Sequence, residues 1–379
     1  MPTAIVLGAG MVGSVIAADL AGDFDVTVAD ASDDALARAK RRAGDVDCVR
    51  RDLSDPNAVA KLVEPYDVVL GAMPSRFGFA TLRAVVGAGK RYADISFMPE
   101  NALALDDVAR ANGATAVVDC GVAPGMSNML AGYGAATLDE PERIVIYVGG
   151  LPRERHWPYE YKAGFAPSDV IEEYTRPARI VINGKTVVRE ALSEPELIDF
   201  DGVGTVEAFN TDGLRTLIDT LDVPDMIEKT MRYPGHIELM RVLRETGFFS
   251  HEPVDVGGVA VRPIDFTSRI LFPHWTYEEG EADLTIMRVE VTGRRDGRRV
   301  TWRWDLHDRL DPATNTTSMA RTTGFPCAIV ARMLAAGEVT ETGVLAPETF
   351  VRAPGRLDAV LKGLQMRGVE YTFEVRPES

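Results

Sequence analysis

Three glycines and one acid near the start of the chain are spaced to hold a dinucleotide: Gly8, Gly10 and Gly13 in a G-x-G-x-x-G run, with Asp30 twenty residues after Gly10. Gly8 permits a tight turn, Gly10 lets the backbone approach a pyrophosphate, and Gly13 lets a helix pack closely on a strand. Met11 and Val12 open that helix, whose unpaired N–H groups and dipole favour an anion. A carboxylate at Asp30 can accept both ribose hydroxyls and repels a 2′-phosphate, so the spacing predicts NAD rather than NADP. The alternative is a glycine-rich turn in an ordinary βαβ unit.

The surrounding elements fit that chemistry. Ala4 to Leu7 is a buried-strand run, and Val26 to Asp30 a second. Helix (33–42), strand (45–49), helix from Pro56 with Asp55 as N-cap, strand (66–71), helix (79–87), strand (91–95), helix (101–112) and strand (115–119) follow. Six strands alternating with helices predict an α/β fold, a Rossmann doubly wound parallel sheet. Ligands in such sheets lie beyond the carboxyl ends of the strands. That rule selects Asp30, Asp52, Met73, Pro74, Ser75, Asp94, Ser96, Asp119 and Cys120. Cys120 reads as a small residue filling a strand end near the nicotinamide or as a nucleophile, though no histidine adjoins it in sequence.

Gly121 to Asn128 contains a Pro-Gly turn, and Ser127 or Asn128 can cap the following helix. The turn either binds a substrate carboxylate or merely carries the chain into a second domain. Beyond Arg143 the pattern becomes antiparallel. Asn183-Gly184 and Arg295-Asp296-Gly297 mark hairpins, and Val300, Trp302, Trp304 and Leu306 share one face. These tryptophans read as core or interface. Two loops carry clustered polar groups, His156 to Lys162 and Arg232 to His236. The expected division is a Rossmann domain over 1–122, a second α+β domain with antiparallel or mixed sheet for substrate and dimerisation over 123–315, and returning helices over 316–379.

The 379 residues carry a net charge of −16, which excludes nucleic-acid and anionic-membrane surfaces that require basic patches. Cys48, Cys120 and Cys327 are odd in number and form no C-x-x-C, the usage of reduced thiols in a cytoplasmic protein. No signal peptide or membrane-spanning run is expected. The five histidines are scattered, so no metal site is expected.

The Val6-to-Gly13 motif together with Asp119-Cys120-Gly121-Val122-Ala123-Pro124-Gly125-Met126 resembles the saccharopine dehydrogenase-like family, and within it the NAD-dependent L-lysine 6-dehydrogenases. Leu130 to Ala135, Tyr147 to Pro152, Glu160 to Lys162, Arg232 to His236, Met319 to Thr323 and Gly343 to Glu348 extend the resemblance over nearly the whole chain. Saccharopine reductases of that family carry an aspartate where Ala123 stands and an arginine near Phe209 to Gly213. Both departures point to a smaller amino-acid substrate.

The resemblance implies oxidative deamination of the ε-amine of L-lysine, with NAD accepting the hydride and a homodimer or higher homo-oligomer as the assembly. Strand-end placement nominates Asp94 and Asp119 for proton transfer, with Tyr161 or Lys162 from the second domain. Tyr161, Arg232 and His236 are the candidates to bind the substrate, the last two through its carboxylate. The alternatives are a saccharopine reductase or dehydrogenase, a related amine or amino-acid dehydrogenase, and an NAD-binding protein without turnover.

Overall fold

Residues 1–140 alternate strand and helix because apolar β-branched runs are separated by capped amphipathic segments. A computed structural model describes residues 1–278 and 280–377. The order is β1 (Thr3–Leu7), α1 (Met11–Leu20), β2 (Asp25–Asp30), α2 (Asp33–Ala43), β3 (Asp47–Arg50), α3 (Pro56–Val63), β4 (Val68–Gly71), α4 (Ser75–Gly87), β5 (Arg91–Asp94), a 3₁₀ turn (Ala102–Leu105), α5 (Asp106–Ala111), β6 (Thr115–Val117) and α6 (Met126–Thr137). Local chemistry sets the boundaries. The Ser32 hydroxyl accepts from Ala35 N–H to start α2, and Asp55 accepts from Asn57 N–H ahead of Pro56 to start α3. The single helix expected over 101–112 divides into the 3₁₀ turn and α5, and α4 begins four residues early, at Ser75.

The chain continues with β7 (Glu140–Pro152), α7 (Pro167–Thr175), β8 (Ala178–Ile182), β9 (Lys185–Arg189), β10 (Glu196–Phe200), β11 (Gly204–Asn210), α8 (Leu217–Thr220), β12 (Asp225–Arg232), α9 (His236–Glu245), β13 (Val254–Val256), β14 (Val259–Val261), α10 (Pro263–Trp275), β15 (Asp283–Arg295) and β16 (Arg298–Arg309). It ends with α11 (Ser318–Ala335), β17 (Gly343–Leu345), α12 (Pro347–Phe350), α13 (Arg356–Gln365) and β18 (Tyr371–Pro377). The helix expected over 348–368 is two, because Pro354 and Gly355 (φ +80°) interrupt it.

Two compact units result. The first comprises Met1–Glu140, Arg215–Leu221 and Met319–Thr372. Its parallel sheet has the order β17-β6-β5-β4-β1-β2-β3, the doubly wound arrangement with a seventh strand added. The order reverses between β1 and β4, and the crevice for a ligand in such sheets opens at that point. The core between sheet and helices is apolar, with Ile5, Leu7, Val69, Leu82, Val85 and Tyr92 sealed from solvent.

The second unit comprises Pro141–Leu214, Asp222–Ser318 and Phe373–Ser379. Its mixed sheet runs β10-β11-β12-β7-β15-β16-β18, with β8 and β9 attached at β12. Both expected hairpins form. Asn183-Gly184 and Asp296-Gly297 each supply two consecutive positive φ angles, the geometry of a two-residue type I′ turn. Trp302 and Trp304 pack against Phe373 with ring centroids 5.4 and 4.9 Å away, as part of this unit's own packing.

This partition differs from the expected boundary at 122/123. Helix α6 lies in the first unit because it packs against α12 and α13. The contact is close: a Cβ at Gly132 would stand 2.4 Å from the Cβ of Glu348 and 2.8 Å from its Cα. Replacing Gly132 by Ala should therefore destabilise the protein by about 1–3 kcal/mol through overpacking, read as a lowered urea midpoint.

Candidate active site

The glycine turn fits a dinucleotide. Gly8 has φ +106°, and a Cβ on it would meet the carbonyl oxygen of Ala72 at 2.4 Å. A Cβ at Gly13 would meet the carbonyl oxygen of Gly8 at 2.0 Å, so strand, turn and helix close only with glycine at both. Gly10 is the reverse case, with nothing within 4 Å of its Cβ position. It caps α1 without a side-chain hydrogen bond, and Met11 beside it is exposed, so the first N–H groups of α1 face open space for phosphate. Val12 is half-buried behind them. Asp30 ends β2; its Oδ2 accepts from Ala9 N–H at 2.7 Å and its Oδ1 from Ser32 N–H at 2.8 Å. The acid thus fixes the glycine turn from the end of the neighbouring strand.

The other nominated strand-end residues separate into groups. Asp52 is exposed, and its carboxylate accepts from Ser54 N–H at 2.9 Å in a local turn. Met73 and Pro74 are half-buried ahead of Ser75, the buried first residue of α4. Ser96 and Cys120 belong to the surroundings of Asp94. The Ser96 hydroxyl donates to Asp94 Oδ1 at 2.8 Å, and Cys120 N–H donates to the Asp94 carbonyl at 2.7 Å. Burial pushes the Cys120 thiol well up, and its Sγ lies 3.3 Å from the Val117 carbonyl, which leaves it a packing residue rather than a nucleophile.

Asp94 is the chemically distinctive group. It is wholly buried. Its Oδ1 accepts from the Tyr92 hydroxyl at 3.0 Å, Ser96 N–H at 3.2 Å and the Ser96 hydroxyl, while Oδ2 has no partner among the described residues. Burial pushes its carboxyl up to about 7, against the pull of those hydrogen bonds. Asp119 is different. It holds φ +50°, and its two oxygens take the guanidinium of Arg215 at 3.3 Å each.

Arg215 escaped the sequence reading. It is buried, donates also to the Met98 carbonyl, and lies over the Phe97 ring at 5.2 Å. An arginine flanked by Leu214 and Leu217 in a segment without periodicity gave no signal. Glu348 escaped too. Burial pushes its carboxyl up to about 7, and the Thr220 hydroxyl donates to it at 2.5 Å. The sequence offered only its place after Ala346-Pro347. At the N-terminus of α6 the cap is Gly125 rather than Ser127 or Asn128; the Asn128 side chain accepts from Gly125 N–H at 3.4 Å.

In the second unit Tyr161, Arg232 and His236 come together. The Arg232 guanidinium lies 4.5 Å from the Tyr161 ring centroid, and the Tyr161 and His236 rings are 4.9 Å apart. Arg232 and His236, expected to hold a substrate carboxylate, are both engaged inside the protein, each nitrogen of either side chain having a partner there. Arg232 donates to Glu173 at 2.6 Å, the Tyr174 hydroxyl at 3.2 Å and the Met231 carbonyl at 3.0 Å. His236 Nδ1 lies 2.8 Å from the Tyr159 carbonyl, so it must donate there, and Nε2 accepts from the Tyr174 hydroxyl at 2.9 Å. Burial and the neighbouring Arg232 push this imidazole down to about 3, so it is neutral.

Tyr161 and Lys162 instead line a cavity of about 360 Å³. Burial pushes the Tyr161 phenol well up, which keeps it a hydroxyl at neutral pH rather than a proton acceptor. Lys162 is ion-paired with Glu281. At Phe209 to Gly213, the Thr211 hydroxyl and the Gly213 N–H both donate to Glu228, at 2.6 and 3.1 Å. Burial pushes the Glu228 carboxyl up to about 8. Among the described residues no cluster of His, Cys, Asp and Glu could hold a metal ion, and no helix is long and apolar enough to cross a membrane.

Comparison with known proteins places this architecture. Residues 4–117 match the family model described as the saccharopine dehydrogenase NADP binding domain, and residues 121–369 the saccharopine dehydrogenase C-terminal domain. The chain belongs to the saccharopine dehydrogenase family. It is accordingly an enzyme, an oxidoreductase with a nicotinamide-dinucleotide-binding domain. It is 23% identical to the L-glutamate-forming, NADP⁺ saccharopine dehydrogenase of Schizosaccharomyces pombe, over 82% of this chain and 85% of the relative.

Apo saccharopine dehydrogenase (L-Glu forming) of Saccharomyces cerevisiae shares the fold with a TM-score of 0.80 at 18% identity, covering 99% of this chain and all of that one. Homospermidine synthase of Legionella pneumophila, solved with NAD, shares it at a TM-score of 0.67 and 12% identity, over 98% and 91%. These saccharopine dehydrogenases favour the saccharopine-type alternative over the lysine 6-dehydrogenase reading.

Removing Arg232 would take from the half-buried Glu173 the guanidinium that donates to it at 2.6 Å, and from the Tyr161 and Tyr174 rings the cation that packs on them. Arg232→Met should cost about 3–5 kcal/mol in urea unfolding, with part recovered by adding Glu173→Gln. A substrate-binding arginine would instead raise KM and leave stability unchanged.

Proposed function

We propose that the protein oxidises the C–N bond of an amino acid, the substrate being a secondary amine of the saccharopine type and the hydride acceptor NAD. The observation that carries the reading is Asp94, a buried carboxyl held near pH 7 with one oxygen unpaired, at a strand end of a dinucleotide-binding sheet. The bound nicotinamide supplies the acceptor for the hydride that leaves the nitrogen-bearing carbon. The chain must do the rest. It must take a proton from the substrate ammonium, and it must let water add to the resulting C=N so that carbonyl and amine separate.

Asp94 suits the first task. A carboxyl that is about half ionised at neutral pH receives a proton on Oδ2 without giving up the three hydrogen bonds on Oδ1. Asp119 suits it less, because Arg215 occupies both its oxygens. The first turn of α1 and the glycine turn hold the pyrophosphate, and Asp30 the ribose. The relatives' names carry NADP⁺, whereas a carboxylate at Asp30 repels a 2′-phosphate, which is why NAD is proposed here.

A second reading, deamination of the ε-amine of lysine, is favoured by one feature. In the Phe209-to-Gly213 segment, where saccharopine reductases carry an arginine, Thr211 donates to the buried Glu228 of β12, and a Cβ on Gly213 would already touch that carboxyl at 2.3 Å. Nicotinamide reduction with saccharopine against lysine separates the two readings.

Activity should rise with pH through an apparent value near 7, because the ionised form of Asp94 takes the proton. Asp94→Asn should remove that limb and lower kcat by about 10²–10⁴-fold while dinucleotide affinity stays at wild type. Unchanged turnover would exclude the role. Asp30→Ala should lower kcat/KM for NAD relative to NADP by about 10–100-fold, the loss of charge-assisted hydrogen bonds to a ribose. An unaltered ratio would refute the NAD assignment.

A further inference from the structure

The cavity in the second unit has a chemistry of its own. Its walls include Trp157, Tyr159 and Tyr161 and three carboxylates, Glu154, Glu278 and Glu281. Among the described lining residues Lys162 is the sole lysine or arginine, and it is bound by Glu281 with the Tyr277 ring 6.0 Å away. That internal pair already shows a primary ammonium held between a carboxylate and an aromatic face. Beyond it, Glu154 lies 3.8 Å from His156, and Glu278 is exposed at the rim.

The second observation is Tyr161. Its side chain is 4% exposed and is fixed by the Arg232 guanidinium on its face and the Trp275 ring, edge-on at 5.6 Å. Its hydroxyl takes part in no hydrogen bond with the described residues, and Tyr161 lines the cavity. A hydroxyl that opens on a cavity without a protein partner is completed there by water or by a ligand. Carboxylates and aromatic faces together attract an ammonium and repel a carboxylate.

We propose that this cavity recognises the primary ammonium of an aliphatic amine, with Glu278 and the Tyr161 hydroxyl accepting its hydrogen bonds and Tyr159 and Trp157 flanking its methylene chain. The ammonium follows from the cavity alone. That it belongs to the substrate rests on the second reading above, because only the ε-ammonium of lysine stands clear of a carboxylate.

Calorimetric titration of the full chain with n-pentylamine and with pentanoate, an anion of the same carbon count, tests the site. Pentylamine should bind once per chain, and pentanoate at least about tenfold more weakly. Glu278→Gln and Tyr161→Phe should each weaken pentylamine by about tenfold, one charge-assisted hydrogen bond. Equal binding of the two probes, or wild-type affinity in Glu278→Gln, overturns the proposal. Glu278 is exposed, so that variant decides the matter even if Tyr161→Phe misfolds. Nicotinamide reduction is followed separately. Pentylamine binding without turnover of any amino acid sinks only the proposed reaction, and turnover with no amine binding sinks only the ammonium site.

Discussion

β4 ends at Gly71, opposite Asp94 in the sheet, and one more carbon atom there would stand 1.9 Å from the Tyr92 hydroxyl and 2.2 Å from the Asp94 carboxylate. The absence of that carbon lets a phenol and a carboxyl lie side by side within a close-packed parallel sheet. What surrounds them follows from the need to satisfy a buried acid. Ser96 supplies two donors and Tyr92 a third, while Cys120 N–H ties the neighbouring strand end to the Asp94 carbonyl. The remaining oxygen, unpaired in a dry setting, gives the group its affinity for a proton near neutral pH.

A similar constraint shapes the second unit with the opposite outcome. Arg232, Glu173, Tyr174 and His236 form a connected set in which every nitrogen of the cation and the imidazole has a partner inside the protein. Such a set fixes neighbouring rings in place rather than reaching outward. Tyr161 is the exception: its ring is held by the set, but its hydroxyl is not.

Sequence carried the parts of this design that depend on short range. Gly8, Gly10, Gly13 and Asp30 were legible because turn, helix start and strand end fall within one βαβ unit. Asn183-Gly184 and Asp296-Gly297 were legible because two residues alone decide a hairpin. What was missed depends on distant partners. β17 is three residues long and pairs with β6 more than 220 positions earlier, so no local pattern announces it. Arg232 and His236 read as groups free to bind a substrate carboxylate because Glu173 and Tyr174, their partners inside the protein, lie about sixty residues away. Arg215 was invisible for the same reason: its partner Asp119 is 96 residues upstream.

The interleaving of the two units has a consequence for synthesis. The chain leaves the first unit at Glu140, returns for Arg215–Leu221, and returns again for Met319–Thr372, while the second unit still requires strand β18 after that. Neither unit is a contiguous stretch that a ribosome could release and fold by itself. β6 is made early yet waits for β17 as its outer neighbour. The nascent protein therefore carries open sheet edges until β17 and β18 have emerged, and unpaired strands are exposed to wrong partners throughout that interval.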